Sequence, residues 1–376
     1  MITPLLGAAY VVLLVCKVVL AIRAAQREPK PGRSDFSDVV IAQPILSGDP
    51  GLSDTLEDNL RTLGAAHFLW IIDVDDPAAH AICGVLIGRH PDAHIEVLVA
   101  PPPPDGCNPK LFKLEMARAR VHHHVLVVLD DDTRLPAASL AALLAALEQS
   151  DVATGLPAYL DDGRWPSRLL AQFVNNNAAL TYLPLLNVWP PLTINGMAYA
   201  MRSERLNDLG GFAPLMGYLT DDLAVARLVL SAGGRIAQTA LPQWVQTTVT
   251  DGNHYMRVMH RWFLFAWLLM RHQPGRVRAV IALLHALPAV LLWSIVIAAI
   301  VEQSFQMLIG LVVLRAFILI ALQQRIYGRP LHKPLSSLAS ELLQPVHLLH
   351  ATFSRTIVWR TRHYDVLGDD SFHSVS

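Results

Sequence analysis

Val125-Leu126-Val127-Val128-Leu129-Asp130-Asp131-Asp132-Thr133-Arg134-Leu135-Pro136 decides the reading of this chain. Five consecutive apolar residues, three of them β-branched, have the composition of a strand buried on both faces. The strand ends on three adjacent carboxylates. At the end of a buried strand these repel one another and lose hydration, a cost that a divalent cation removes. All-oxygen donors suit Mg2+ or Mn2+. Side chains alternate along an extended backbone, so Asp130 and Asp132 point one way and Asp131 the other. The result is an Asp-x-Asp clamp suited to a metal that also holds a diphosphate. Taken by itself, the triplet also reads as a solvated acidic loop.

Strand-like runs precede it at 39–45, 67–72 and 95–100, separated by helical stretches at 52–64, 77–89 and 108–120. This alternation predicts an α/β fold with a Rossmann-like, mostly parallel sheet covered by helices. Ligands of such sheets gather at the carboxyl ends of the strands. Gln43 and Pro44 close the first strand there, and Asp73 closes the second. Asp76-Pro77 reads as a helix N-cap with proline in the first turn, which leaves Asp73 to contact a ligand. After a stiff loop at 101–104 comes Asn108-Pro109-Lys110. Its lysine is a candidate phosphate contact, against the alternative of a surface lysine in a first helical turn. Farther along, Leu219-Thr220-Asp221-Asp222-Leu223 opens a helix. Thr220 suits the N-cap and Asp221 the positive end of the helix dipole. Asp222, at a helix start facing the sheet mouth, suits a general base.

The bulk composition adds a membrane. The chain has 376 residues, 53% of them apolar, with a mean hydropathy of +0.37. A net charge of −1 argues against a nucleic-acid partner. Cys16, Cys83 and Cys107 have neither disulfide-framework nor zinc spacing, which fits a reducing, cytosolic site. Residues 1–25 read as a transmembrane signal anchor, with Lys17 snorkelling to the interface. A cleaved signal peptide is the rival, but its basic n-region is missing. Arg23, Arg27, Lys30 and Arg33 put the following residues on the cytoplasmic side. The catalytic domain is expected over 37–250. An amphipathic interfacial helix follows over 251–275, with Arg261 and Trp262 among its basic and aromatic residues. A transmembrane hairpin is expected over 279–323, with Arg315 facing protein, headgroup or water. Interfacial helices and a basic, aromatic strand occupy 335–365, and 366–376 reads as a loose tail.

One reaction uses all these parts: glycosyl transfer from a nucleotide-diphospho-sugar. The leaving diphosphate needs cationic stabilisation. The acceptor hydroxyl must give its proton to a carboxylate, placed across the anomeric carbon in a single inverting displacement. The chain resembles the ceramide glucosyltransferase-like inverting glycosyltransferases (families 21 and 2), which have a GT-A fold and include hopanoid-associated bacterial relatives. The resemblance covers most of 39–365. It rests on Pro44 through Asn59-Leu60, Asp73-x-x-Asp76-Pro77-Ala78, Asn108-Pro109-Lys110, Asp130-Asp131-Asp132-Thr133, Gly210-Gly211-Phe212, Thr220-Asp221-Asp222-Leu223, Arg261-Trp262 and Trp359-Arg360-x-Arg362-x-Tyr364.

The resemblance implies a role for each residue. Asp73 binds the uracil or ribose, and Pro44, Lys110 and Asp221 belong to the donor site. Asp130 and Asp132 hold the diphosphate through a divalent cation, Asp132 as the direct ligand. Asp222 is the base, matching the second acid of a Thr-Glu-Asp motif, with Asp221 in the Glu place. Arg261 and Trp262 sit beside the leaving diphosphate and the acceptor. Val258 stands where the family has Gln or Arg, three residues before Arg-Trp, which argues against a processive polysaccharide synthase. The implied activity is transfer of a hexose, glucose foremost, from a UDP-sugar to ceramide or a similar lipid. The implied location is a bacterial inner membrane, multi-pass, with the catalytic domain cytoplasmic. Two alternatives stay open: transfer of N-acetylglucosamine or another sugar to a hopanoid or glycerolipid, and an inactive GT-A scaffold that binds lipid or a partner. Clustered acids with no use are a stability liability, which counts against the scaffold.

Overall fold

Eight strands form one mixed sheet: β1 (Val39–Ile45), β2 (His67–Asp73), β3 (Ile95–Ala100), β4 (Val125–Leu129), β5 (Thr133–Arg134), β6 (Val152–Tyr159), β7 (Ala198–Arg202) and β8 (Ile236–Val245). Their order is β3-β2-β1-β4-β7-β6-β8-β5. Strands β3, β2, β1 and β4 run parallel, β7 lies antiparallel to both β4 and β6, and β5 is antiparallel to β8. The computed structural model describes residues 2–27, 35–353, 356–359, 362–366 and 372–375. Lys30, Arg33 and Arg360 lie outside them.

Every residue of β4 is buried, as its run of apolar side chains requires. Val125, Val127 and Leu129 pack on one face with Leu56, Leu60 and Trp70. Leu126 and Val128 pack on the other with Leu111, Leu114 and Val225. Each such side chain contributes roughly 1.5–3 kcal/mol by leaving water. The same alternation, carried one residue past the strand, points Asp130 toward the face of the helix Pro109–Arg118. Asp131 goes the other way, and its Oδ2 accepts the Leu46 backbone N–H at 2.8 Å. The period-2 geometry of one strand thus separates a structural aspartate from its neighbours.

The chain divides into two units. The sheet unit comprises Pro29–Pro157, Pro191–Thr248 and Thr356–Ser376; the helical unit comprises Met1–Glu28, Ala158–Pro190 and Val249–Arg355. Residues 158–190, expected within the catalytic stretch, therefore group with the apolar helices. Helix Trp165–Asn177 explains why. It buries Leu169, Leu170 and Val174. Its amides also bond within the helical unit: Gln172 donates to the Leu331 carbonyl, Asn176 donates to Ser337, and the Asn175 carbonyl accepts from the Tyr327 hydroxyl.

Three helices of this unit, Ile2–Gln26, Gly275–Val301 and Phe305–Tyr327, are long and apolar enough to cross a membrane. Arg315 is buried in the third. It pairs with Glu341 at 2.5 Å and donates to the Tyr10 hydroxyl at 2.9 Å, so it faces protein. Lys17 corrects the snorkelling expectation: it is buried, and its ammonium donates to the Leu284 carbonyl. In an α-helical ladder that carbonyl would accept from residue 288, which is Pro288 and has no N–H. Here the turn Ala282–Ala286 is π-helical, and the lysine supplies a donor to a carbonyl just before Pro288. The interfacial stretch forms as helix Gly252–Arg271, capped by Asp251, whose carboxylate accepts the His254 N–H at 2.8 Å.

The C-terminal segment differs from the expectation. Instead of one strand and a tail, the antiparallel strands β9 (Thr356–Trp359), β10 (Arg362–Val366) and β11 (Phe372–Val375) pair in the order β11-β10-β9. Phe372 is buried in this sheet.

Removing one partner of a buried ion pair strands the other. Glu341→Ala should therefore lower stability by about 3–5 kcal/mol. Glu341→Leu combined with Arg315→Leu should regain most of that loss. Thermal melting of the detergent-solubilised protein checks both.

Candidate active site

The site begins with one helix face. Lys110 and Lys113 are three residues apart on helix Pro109–Arg118, so they project from the same side. That side meets the carboxyl ends of the parallel strands. Lys110 Nζ lies 2.7 Å from Asp130 Oδ1 and 2.7 Å from Asp221 Oδ2, and donates to the Gly196 carbonyl at 3.0 Å. Lys113 is buried, pairs with Asp73 Oδ2 at 2.8 Å and donates to the Ile45 carbonyl at 3.0 Å. Lys110 was expected as a phosphate contact, but here its ammonium is surrounded by three protein oxygens.

Asn108 fixes this helix to the segment that carries Asp221 and Asp222. Its Oδ1 accepts the N–H groups of Lys110 and Leu111, capping the helix. Its Nδ2 donates to the Tyr218 and Leu219 carbonyls. Helix Asp221–Ser231 starts two residues later. Thr220 holds the N-cap position as expected, but its side chain makes no capping bond. Asp222 Oδ1 instead accepts the Leu223 N–H at 2.7 Å.

Gly196 closes the group. A Cβ there would lie 3.2 Å from Asp222 Cβ and 3.5 Å from Asp221 Oδ2, so glycine lets the loop approach both acids. The next residue, Met197, accepts the Asp130 N–H at 2.8 Å. Gly211 is needed for another reason: its φ is +72° and a Cβ would fall 2.3 Å from Arg118 Nε. Its neighbour Phe212 is fully buried, and the Phe212 N–H donates to Glu115 at 2.7 Å.

Asp132 sits across from this cluster. Its Oδ2 accepts the Thr247 hydroxyl at 2.8 Å and its Oδ1 the Thr133 hydroxyl at 3.2 Å. Asn59 holds the peptide behind it, donating to the Thr133 carbonyl and accepting the Leu135 N–H. Burial pushes Asp130 up to about 8; Lys110 pulls the other way, and Asp132 and Asp221 add to the rise. Burial also raises Asp132, opposed by its two threonine bonds and reinforced by Asp49. Burial works against the Lys110 ammonium, but Asp130 and Asp221 outweigh it and keep it charged. Pro44, half-buried in β1, pairs with Ile71 of β2. Asp76 is the N-cap expected, accepting from Ala79 N–H and from both donors of Ser47.

Asp73, Lys110, Asp130, Asp132, Asp221 and Asp222 thus belong to one neighbourhood of the sheet unit. Arg261 and Trp262 belong to the helical unit. There Trp262 stacks edge-on against Tyr159 at 5.8 Å, and Val258 is buried. The sequence reading missed Lys113, Asp49, Thr247 and Gly196. Only Lys113 left a local signal, its helical spacing from Lys110. Among the described residues no three His, Cys, Asp or Glu side chains converge as a complete metal cage.

The family model described as glycosyl transferase family 21 matches residues 1–371. The chain belongs to this family. Ceramide glucosyltransferase 1 of Caenorhabditis elegans is 22% identical over 250 residues, covering 65% of this chain and 52% of that protein. The chain therefore spans about half the length of that curated relative. Among solved structures, the mannosyltransferase PcManGT from Pyrobaculum calidifontis, in complex with GDP-Man and Mn2+, superposes with a TM-score of 0.52 at 16% identity. That match covers 94% of this chain and 97% of the other. At this identity it shows the fold, and the fold of this family 21 glycosyltransferase is GT-A.

Lys110→Met leaves Asp130 and Asp221 facing each other without their shared cation. It should cost about 3 kcal/mol of stability, read as a lower melting temperature of the purified full-length chain. Melting at the wild-type temperature would show that the lysine does not hold the two acids.

Proposed function

We propose that this family 21 member is a membrane-bound inverting glycosyltransferase. In this reading it transfers a hexose, glucose foremost, from a UDP-sugar to the hydroxyl of ceramide or a similar lipid alcohol. The observation that carries the reading is the Lys110 bridge between Asp130 and Asp221. It joins the acids expected on the diphosphate to the helix start that bears Asp222.

Asp130 and Asp132 fit a hard divalent cation, Mg2+ or Mn2+. They are oxygen donors whose pKa values are raised, first by burial and then by neighbouring acids, and a cation would relieve that cost. Two carboxylates without a third suit a cation whose remaining ligands are water and substrate phosphate. When bound, the cation supplies positive charge against the leaving diphosphate. Asp73, oriented by Lys113, takes the uracil or ribose, and Pro44 lines the same donor site. Asp222 accepts the acceptor hydroxyl's proton as that oxygen bonds to the anomeric carbon. The bond from that carbon to the diphosphate breaks, and UDP leaves with the electron pair. Asp221, neutralised by Lys110, keeps a second negative charge from competing beside the base. The roles of Arg261 and Trp262, beside the leaving group and acceptor, rest on the motif resemblance.

With this reading goes a layout of an anchor over 1–25, a cytoplasmic catalytic stretch over 37–250, an interfacial helix over 251–275 and a hairpin over 279–323. The ceramide glucosyltransferase named above supports the choice of glucose and ceramide, and the mannosyltransferase solved with GDP-Man and Mn2+ supports a nucleotide-sugar donor and a divalent metal.

Mass spectrometry of lipids from cells with and without the protein tests the reaction, because the mass gained identifies sugar and acceptor. A gain of an N-acetylhexosamine on a hopanoid or glycerolipid would favour the second donor and acceptor pair. Asp222→Asn should lower turnover on the order of 10²–10⁴-fold, the usual contribution of a positioned base, with UDP binding retained. Wild-type turnover in that variant would remove Asp222 from the role. Asp132→Ala should weaken Mn2+-dependent UDP binding in calorimetry, and unchanged affinity would count against the clamp.

A further inference from the structure

The helical unit contains a cavity to which all three apolar helices contribute a polar side chain. Tyr10 and Lys17 come from Ile2–Gln26, His285 from Gly275–Val301, and Arg315 from Phe305–Tyr327. Among the described residues Glu341 is the one acid lining it. Two cations against one carboxylate leave an excess positive charge. Glu341 is engaged by Arg315 at 2.5 Å and by the Tyr10 hydroxyl at 3.2 Å. Lys17 is 5% exposed and, among the described residues, bonds only to the Leu284 carbonyl. An ammonium has three N–H groups, so two are left over together with the charge.

The backbone around this cavity is irregular in a consistent way. The π-helical turns Ala178–Tyr182 and Ala282–Ala286 both border it, through Leu180 and His285. Each is followed within two residues by a proline, Pro184 or Pro288. His285 Nδ1 meets Asn177 Oδ1 at 2.9 Å. Turns of this kind concentrate at functional sites, and charge inside an apolar helix bundle marks a ligand path or binding site. Capping the Leu284 carbonyl needs a donor, but it does not need a charge.

We infer that this cavity binds a monoanionic phosphate group, with Lys17 as its counter-charge. Basic pockets between membrane-crossing helices take anionic lipid head groups by the same chemistry. The phosphate comes either on a lipid or free in solution.

Thermal melting of the full-length protein in neutral detergent tests the site, with phosphatidylglycerol, phosphatidylcholine or sodium phosphate added. Phosphatidylglycerol should raise the melting temperature and phosphatidylcholine should not. Lys17→Gln keeps a donor for Leu284 but loses the charge, and should weaken the apparent affinity at least roughly tenfold, the scale for losing one partner of a buried charge pair. Gln344→Glu neutralises the excess charge from another wall of the cavity. It should weaken affinity likewise, which keeps the test decisive if Lys17→Gln fails to fold. Stabilisation by phosphatidylglycerol alone supports the site and assigns the anion to a lipid. Equal stabilisation by sodium phosphate supports it with a free anion. Equal stabilisation by phosphatidylcholine, no stabilisation by either anion, or unchanged affinity in whichever variant folds overturns it. The measurement reads binding rather than turnover, so its outcome is independent of the transferase reading.

Discussion

The sheet unit depends on one half-buried ammonium held between two carboxylates. Lys110 touches Asp130, at the end of β4, and Asp221, at the start of a helix far along the chain. Without it, two half-buried acids brought together by the fold would repel each other where water screens them only partly. With it, the helix Pro109–Arg118 becomes a ruler that sets the distance between a strand end and a helix start. Lys113 does the same for Asp73, one turn farther on. Buried ion pairs are poor stabilisers compared with apolar packing of equal volume. Their value here lies in position: each ammonium accepts one geometry of its partners, and a hydrophobic replacement would accept many.

Much else follows from the need to let these charges meet. Gly196 has no side chain because one would press on Asp222. Asn108 is buried because the loop before Asp221 must be tied to the helix that bears Lys110. Asp131 turns away and bonds the backbone at Leu46, so the middle member of the triplet stays out of the mouth. An aspartate triplet at a strand end is therefore two kinds of residue. The alternation of an extended chain decides which is which.

That alternation is why the strands were legible in the sequence, and why Asp131 parts from Asp130. Local periodicity reports burial, and β4 obeys it at every position. Helix starts were legible for the same reason, since caps and dipoles act over a few residues. What stayed hidden was pairing across the chain. Nothing near Thr247 announces that its hydroxyl meets Asp132, and nothing near Asp49 announces that it reaches the Thr248 N–H. The grouping of 158–190 with the apolar helices was hidden too, because amide bonds from Gln172 and Asn176 decide it.

The same electrostatic rule yields opposite demands in the two units. At the sheet mouth, Asp49, Asp73, Asp130, Asp132, Asp221 and Asp222 face the ammonium groups of Lys110 and Lys113, and the imbalance is negative. Among the apolar helices, Lys17 and Arg315 face Glu341, and the imbalance is positive. An uncompensated charge in a poorly hydrated place is costly in either sign. A fold that keeps such a charge can complete it with a bound ion of the opposite sign. Under the proposed function the completing species for the acids is a hard cation with its phosphate ligands; under the further inference, for Lys17 it is an anion. The backbone agrees with the second demand. Lys17 answers the Leu284 carbonyl beside Pro288, and its two remaining N–H groups and its charge point, in the proposed reading, toward a ligand.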